Sequence, residues 1–73
     1  MNPTMKALNL YLQAKEPALE LVKGRGYFYF ANSDGFDCTN LPPSICIYAL
    51  RSQSLEDWKH DIDNALLWHR ANN

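Results

Sequence analysis

Residues 23–30 of this chain read Lys-Gly-Arg-Gly-Tyr-Phe-Tyr-Phe, and they constrain the fold more than any other stretch. Gly24 and Gly26 supply the backbone freedom for a tight reversal. The four aromatics that follow are among the strongest strand formers. Alternate side chains of a strand point to opposite faces, so Phe28 and Phe30 go one way while Tyr27 and Tyr29 go the other. One face is thereby apolar, and the other carries phenols that can meet water or a partner.

The rest of the chain supplies elements to pack against this hairpin. Asn2-Pro3 opens a helix, with Asn at the N-cap and Pro at the first helical position. Met5, Leu8 and Leu12, with Tyr11 beside them, mark its apolar face, and Leu10 falls off it. Glu16 precedes Pro17 and is pushed out of helical backbone, which ends the helix near Lys15. Leu19, Leu21 and Lys23 alternate with Glu20 and Val22 as a first strand, joined to the aromatic strand by the Lys23–Gly26 reversal. Asn32-Ser33-Asp34-Gly35 closes the second strand, and a long loop runs on to Pro42-Pro43.

Ile45 to Leu50 reads as a third strand, with Pro43 just outside it. Ser54 is an N-cap for a last helix reaching about Arg70, with Glu56 and Asp57 suiting its first turn. Leu55, Trp58, Ile62, Ala65, Leu66 and His69 form its apolar stripe, while Leu67 and Trp68 lie off it. The order helix-strand-strand-strand-helix predicts an α+β fold: a three-stranded antiparallel meander with both helices on one face. In that arrangement Cys46 and Tyr48 join Tyr27 and Tyr29 on the open sheet face.

Composition sets the scale. Residues 1–73 make one small domain, 47% hydrophobic and 21% charged, with a net charge of −1. A chain of this length buries about 60% of its unfolded surface, so a stability of roughly 3–5 kcal/mol is expected. Residues 1–25 hold four basic and two acidic side chains, residues 26–50 hold only Asp34 and Asp37, and residues 51–73 hold three basic and four acidic ones. No segment concentrates Lys and Arg, which argues against duplex DNA as a partner. No apolar run has signal-peptide or membrane-spanning length. With two cysteines only, Cys38 and Cys46, a reducing cytoplasm is the simpler setting.

Chemistry-bearing patterns are sparse. His60 and His69 sit on nearly opposite sides of the last helix, so they cannot chelate one metal from it. Cys38 and Cys46 lack zinc-ligand spacing, and Asp34 and Asp37 lack the alternating ligands of a calcium loop. Gly24 and Gly26 do not open a helix, so they are not a phosphate loop. No elbow or oxyanion signature accompanies Cys46, and so small a core leaves little room for a concave pocket. The expectation is a chain without catalytic residues, cofactor or metal.

Residues 23–30 resemble the RNP1 motif of RNA-recognition domains: Lys23, Gly24, Gly26, Tyr27 and Phe30 match it. Arg25 stands where that family carries a stacking aromatic, and the βαββαβ order is not met. A broader resemblance joins residues 23–30 to Pro42-Pro43-Ser44-Ile45-Cys46-Ile47-Tyr48 and to Ser54-Leu55-Glu56-Asp57-Trp58. Over residues 20–66 the chain is similar to small uncharacterised proteins encoded in bacteria and their prophages. That resemblance implies a cytoplasmic accessory role and no particular activity.

The reading that follows is a non-enzymatic protein-interaction module, acting as a homodimer or as a phage-type inhibitor or adaptor on a host protein. Its candidate surface is Arg25, Tyr27, Tyr29 and Tyr48, with Trp68 on the last helix. Rigid aromatics supply buried area, and Arg25 orients the partner through an acidic group. The alternative is a single-stranded nucleic-acid binder that uses Tyr27, Tyr29 and Tyr48 as a stacking platform.

Overall fold

Capping, strand alternation and one proline determine the architecture seen in the computed structural model, which describes residues 3–38 and 40–73. Helix α1 spans Met5–Lys15, strand β1 Leu19–Lys23, strand β2 Phe28–Asn32 and helix α2 Leu55–Asn72, with a 3-10 turn at Leu50–Ser52. The N-cap of α1 is Thr4, whose hydroxyl accepts from the Ala7 N–H at 3.1 Å. Pro3 therefore precedes the helix instead of opening it, and the expected cap Asn2 lies outside the described residues. Glu16 ends α1 in extended backbone before Pro17, and its N–H still donates to the Leu12 carbonyl at 2.8 Å. Ser54 caps α2 by accepting from the Asp57 N–H at 3.1 Å, and α2 runs two residues past Arg70.

The two strands pair antiparallel, with Leu21 opposite Phe30 and Lys23 opposite Phe28. Leu19, Leu21, Phe28 and Phe30 point inward and are buried. Leu8 and Leu12 of α1 and Trp58, Ile62, Ala65 and Leu66 of α2 complete the same core. Both helices thus cover one face of the hairpin. Phe28 meets Trp58 edge to face, with centroids 4.7 Å apart and planes at 78°. Such a pair is worth about 0.5–1.5 kcal/mol beyond its buried area.

The fold is α+β, but the sheet has two strands, and the predicted third strand over Ile45–Leu50 does not form. Ile45 alone bridges Phe28: its N–H donates to the Phe28 carbonyl at 2.7 Å and its carbonyl accepts from the Phe28 N–H at 2.9 Å. Register explains the failure on both sides. The next ladder position, opposite Phe30, falls on Pro43, which has no N–H to give. On the other side Ile47 would face Gly26, which sits in the turn at φ +74°. Ile47 donates instead to the Ile45 carbonyl at 3.0 Å, so the chain bends away at Cys46. It then reaches Leu50, whose carbonyl accepts from the buried Trp58 indole at 2.8 Å.

A two-stranded sheet leaves edges, and α1 closes one of them with amides. The Asn9 side chain accepts from the Leu21 N–H at 2.8 Å and donates to the Leu21 carbonyl at 3.1 Å, as a neighbouring strand would. One turn later Gln13 donates to the Leu19 carbonyl at 3.2 Å. The loop after β2 is also tied down. Asn40 donates through its side chain to the Asn72 carbonyl at 2.7 Å, and its own carbonyl accepts from the Asn73 side chain at 2.9 Å.

The helices are clamped by Tyr11, Lys15 and Asp63. The Tyr11 hydroxyl donates to Asp63 Oδ1 at 2.8 Å, and Lys15 Nζ donates to both, at 2.7 and 2.9 Å. The Lys15 ammonium, then the Tyr11 hydroxyl, hold the Asp63 carboxyl below its ordinary value. Hydrogen bonds to Tyr11 and then to Asp63 hold Lys15 above its own.

Three outcomes follow for denaturation experiments. Asn9→Ala orphans the Leu21 main chain and lowers unfolding stability by about 1–3 kcal/mol. Leu10→Ala, at a side chain 64% exposed, stays within about 0.5 kcal/mol of the parent in the same urea titration. Because the folded-state value of Asp63 is depressed, its contribution is present above the unfolded carboxylate range and is lost as pH falls through the folded value. The stability gap between the parent and Asp63→Asn is therefore open at neutral pH and narrows in acid.

Candidate functional site

Lys23 ends β1 and Phe28 begins β2, so residues 24–27 form the hairpin tip. Tyr27 therefore lies in the turn, one residue before the strand that the sequence pattern assigns to it. The Gly24 N–H donates to the Tyr27 carbonyl at 2.8 Å and closes the tip. A methyl group built on Gly24 would sit 2.5 Å from Tyr27 Cζ and 2.7 and 2.8 Å from the two Cε atoms. Those nearly equal distances place the methyl above the ring, so the face of Tyr27 lies across Gly24. Only a glycine accepts that approach without moving the ring.

Tyr27 and Tyr29 are neighbours on the outer face, with centroids 5.9 Å apart and planes tilted by 37°. Tyr48 is elsewhere. The bend at Cys46 removes it from any strand, and its ring stands near Gly26, leaving it 79% exposed. The open sheet face carrying three tyrosines is thus corrected to a tyrosine pair plus a separate tyrosine. Cys46 is exposed and Cys38 half-buried, and both are free thiols.

An open groove of about 800 Å³ separates the hairpin tip from the 48–51 segment. Lys23, Arg25 and Gly26 line one side, Tyr48, Leu50 and Arg51 the other, and Pro3 also borders it. The sequence reading left little room for such a concavity. It arises because the 48–51 segment is drawn toward Trp58 instead of pairing with β2. Its charge is one-sided: three cations line it and no carboxylate does. Lys15 and Lys59 lie beside Asp63 and Glu56, but none of Lys23, Arg25 and Arg51 has a carboxylate within ion-pair distance among the described residues. The amides of Asn9 and Gln13 stop at Leu21, so among the described residues no side chain takes up the main chain of Lys23.

Of the candidate residues, Arg25 and Tyr48 come together at this groove, with the Tyr27–Tyr29 pair beside it on the hairpin. Trp68 does not join them. It lines a second, smaller groove of about 430 Å³ with Pro43, Ile45, Ile47 and Ala65. Lys23 and Arg51 were not singled out as site residues. No spacing or pattern links Arg51 to Arg25, since only tertiary folding brings them to one cleft.

The lining of the main groove contains no Ser, Cys, His, Asp or Glu, and no group of three metal-capable side chains occurs among the described residues. His69 is buried on α2, with Nδ1 3.1 Å from the Asn73 side chain and Nε2 3.8 Å from Glu16 Oε1. It serves the packing of α2 against the end of α1. No helix is long and apolar enough to cross a membrane among the described residues. Compared with protein-family models, curated proteins and solved structures, the chain shows no significant match to any.

The placement of Tyr27 has a direct spectroscopic test. The Gly24 α-protons lie under an aromatic face and resonate upfield of ordinary glycine positions. Tyr27→Ala returns them to ordinary positions while amide shifts across the core remain in place. Unshifted Gly24 protons in the parent would mean that the ring does not cover the tip.

Proposed function

We propose that this chain is a non-enzymatic protein-interaction module whose working surface is the hairpin tip and the 48–51 segment facing it. The observation that carries this reading is Tyr48: a large aromatic, 79% exposed, on the wall of a groove lined by three cations that have no carboxylate partner among the described residues. Tyr and Arg are the residue types enriched in binding hot spots, where a rigid ring supplies area and a guanidinium fork supplies orientation. Tyr27 and Tyr29 extend the surface along the outer face of the hairpin. A cytoplasmic inhibitor or adaptor of the prophage type, acting on a host protein, is the biological role that the resemblance of residues 20–66 suggests.

Single-stranded nucleic acid is served less well by the same residues. A stacking platform needs ring faces open to successive bases. One face of Tyr27 is spent on Gly24, the Tyr27 and Tyr29 rings are tilted, and Tyr48 stands apart from them.

A photo-crosslinking side chain placed at Tyr48 tests the reading in cells and in purified form. The expected result is a discrete protein adduct that Arg25→Ala reduces severalfold while the far-UV spectrum is unchanged. An adduct pattern indifferent to Arg25→Ala, or none at all, overturns the proposal. Sedimentation over a wide concentration range identifies whether the adduct is a second copy, because self-association makes the mass rise with concentration.

A further inference from the structure

We infer that the groove between the hairpin tip and the 48–51 segment binds a carboxylate-rich extended segment of a partner protein. The inference rests on the binding-surface reading above and names the chemistry of its partner.

Charge carries the argument. The chain as a whole is at −1, and its eight carboxylates could in principle neutralise its seven cations. Folding nevertheless gathers Lys23, Arg25 and Arg51 around one cleft and leaves all three without carboxylates within ion-pair distance among the described residues. Like charges brought together at a cleft raise the local potential and are relieved by an anionic occupant. Two of the three are arginines, whose planar forks match carboxylates bidentately.

The remaining lining indicates what else the occupant carries. Pro3, Tyr48, Ala49 and Leu50 place apolar surface between the cations, which suits the methylene stems of Glu and interspersed apolar side chains. The main chain of Lys23 adds a hydrogen-bonding edge. The bonds Ser33 to Ala18 and Gly24 to Tyr27 set the pairing parity of the hairpin, so the N–H and C=O of Lys23 point away from β2. Asn9 and Gln13 occupy the equivalent groups of Leu21 and Leu19, and the next residue one turn back on α1 is Met5, which has no amide. An extended peptide is the ligand that can use such an edge. Three cations are few for a nucleic-acid strand, whose affinity is built from many phosphate contacts.

The test is fluorescence anisotropy of the full chain with three labelled probes: a Glu-Leu repeat peptide, its Gln-Leu counterpart, and an oligo-dT strand of equal charge. The Glu-Leu peptide is expected to bind, and the Gln-Leu peptide to bind at least about tenfold more weakly. Arg25→Glu and Arg51→Glu each reduce Glu-Leu affinity by about tenfold, whereas Arg70→Glu, on α2 and outside the groove, leaves it unchanged. Circular dichroism of each variant separates lost binding from lost fold. Equal binding of the Gln-Leu peptide, tighter binding of oligo-dT, or no binding of the Glu-Leu peptide overturns the inference. If the Glu-Leu peptide fails while the Tyr48 crosslink still depends on Arg25, the partner is not acidic but the surface stands. If that dependence is lost too, both readings fall. Self-association abolished by Glu56→Gln with Asp57→Asn would make the occupant a second copy and overturn the inference as well.

Discussion

Phe28 is the residue on which the rest of the structure depends. Its ring is buried edge to face on Trp58, and both of its main-chain groups are taken by Ile45. The ring contact fixes which face of the hairpin is inside, because strand alternation then sends Phe30 inward and Tyr27 and Tyr29 outward. The bridge fixes where the long loop returns. From Ile45 the chain has only a few residues in which to reach Leu50, whose carbonyl the Trp58 indole requires. The same aromatic pair thus holds the sheet to α2 at one end and determines the path of residues 45–50 at the other.

A domain this small has little area to spare, and it manages its two-stranded sheet by substitution. Where a third strand would satisfy an edge, α1 supplies Asn9 and Gln13, and a single residue, Ile45, covers the opposite edge at Phe28. A buried polar group left without a partner costs more than the bond itself contributes, so two amides in register with a strand edge matter more than their number suggests. The consequence reaches the surface. Because residues 46–49 are released from pairing, they stand away from the hairpin tip and the groove opens between them.

Lys15 is neutralised by Asp63 where the two clamp the helices through Tyr11, whereas Lys23, Arg25 and Arg51 at the groove have no such carboxylate among the described residues. There, three cations and an exposed tyrosine face each other across open space. Net charge conceals this, since the sum of −1 says nothing of where the seven cations lie.

Much of the local structure was determined by the sequence alone. The ends of α1 at Glu16-Pro17 and of β1 at Lys23, the Ser54 cap, the apolar stripe from Trp58 to His69 and the inward phenylalanines all follow from short-range sterics and periodicity. The start of α1 was misplaced because Asn2-Pro3 and Thr4 offer competing caps two residues apart. The third strand was misread for a different reason: Ile45 to Leu50 has strand composition, but pairing depends on what stands opposite. Only the tertiary register puts Pro43 across from Phe30 and Gly26 across from Ile47, and a strand without a donor at one end and a partner at the other cannot propagate. The meeting of Lys23 and Arg25 with Tyr48 and Arg51 was decided at the same level. It is a contact between distant segments, produced when Trp58 draws Leu50 inward, and no spacing along the chain encodes it.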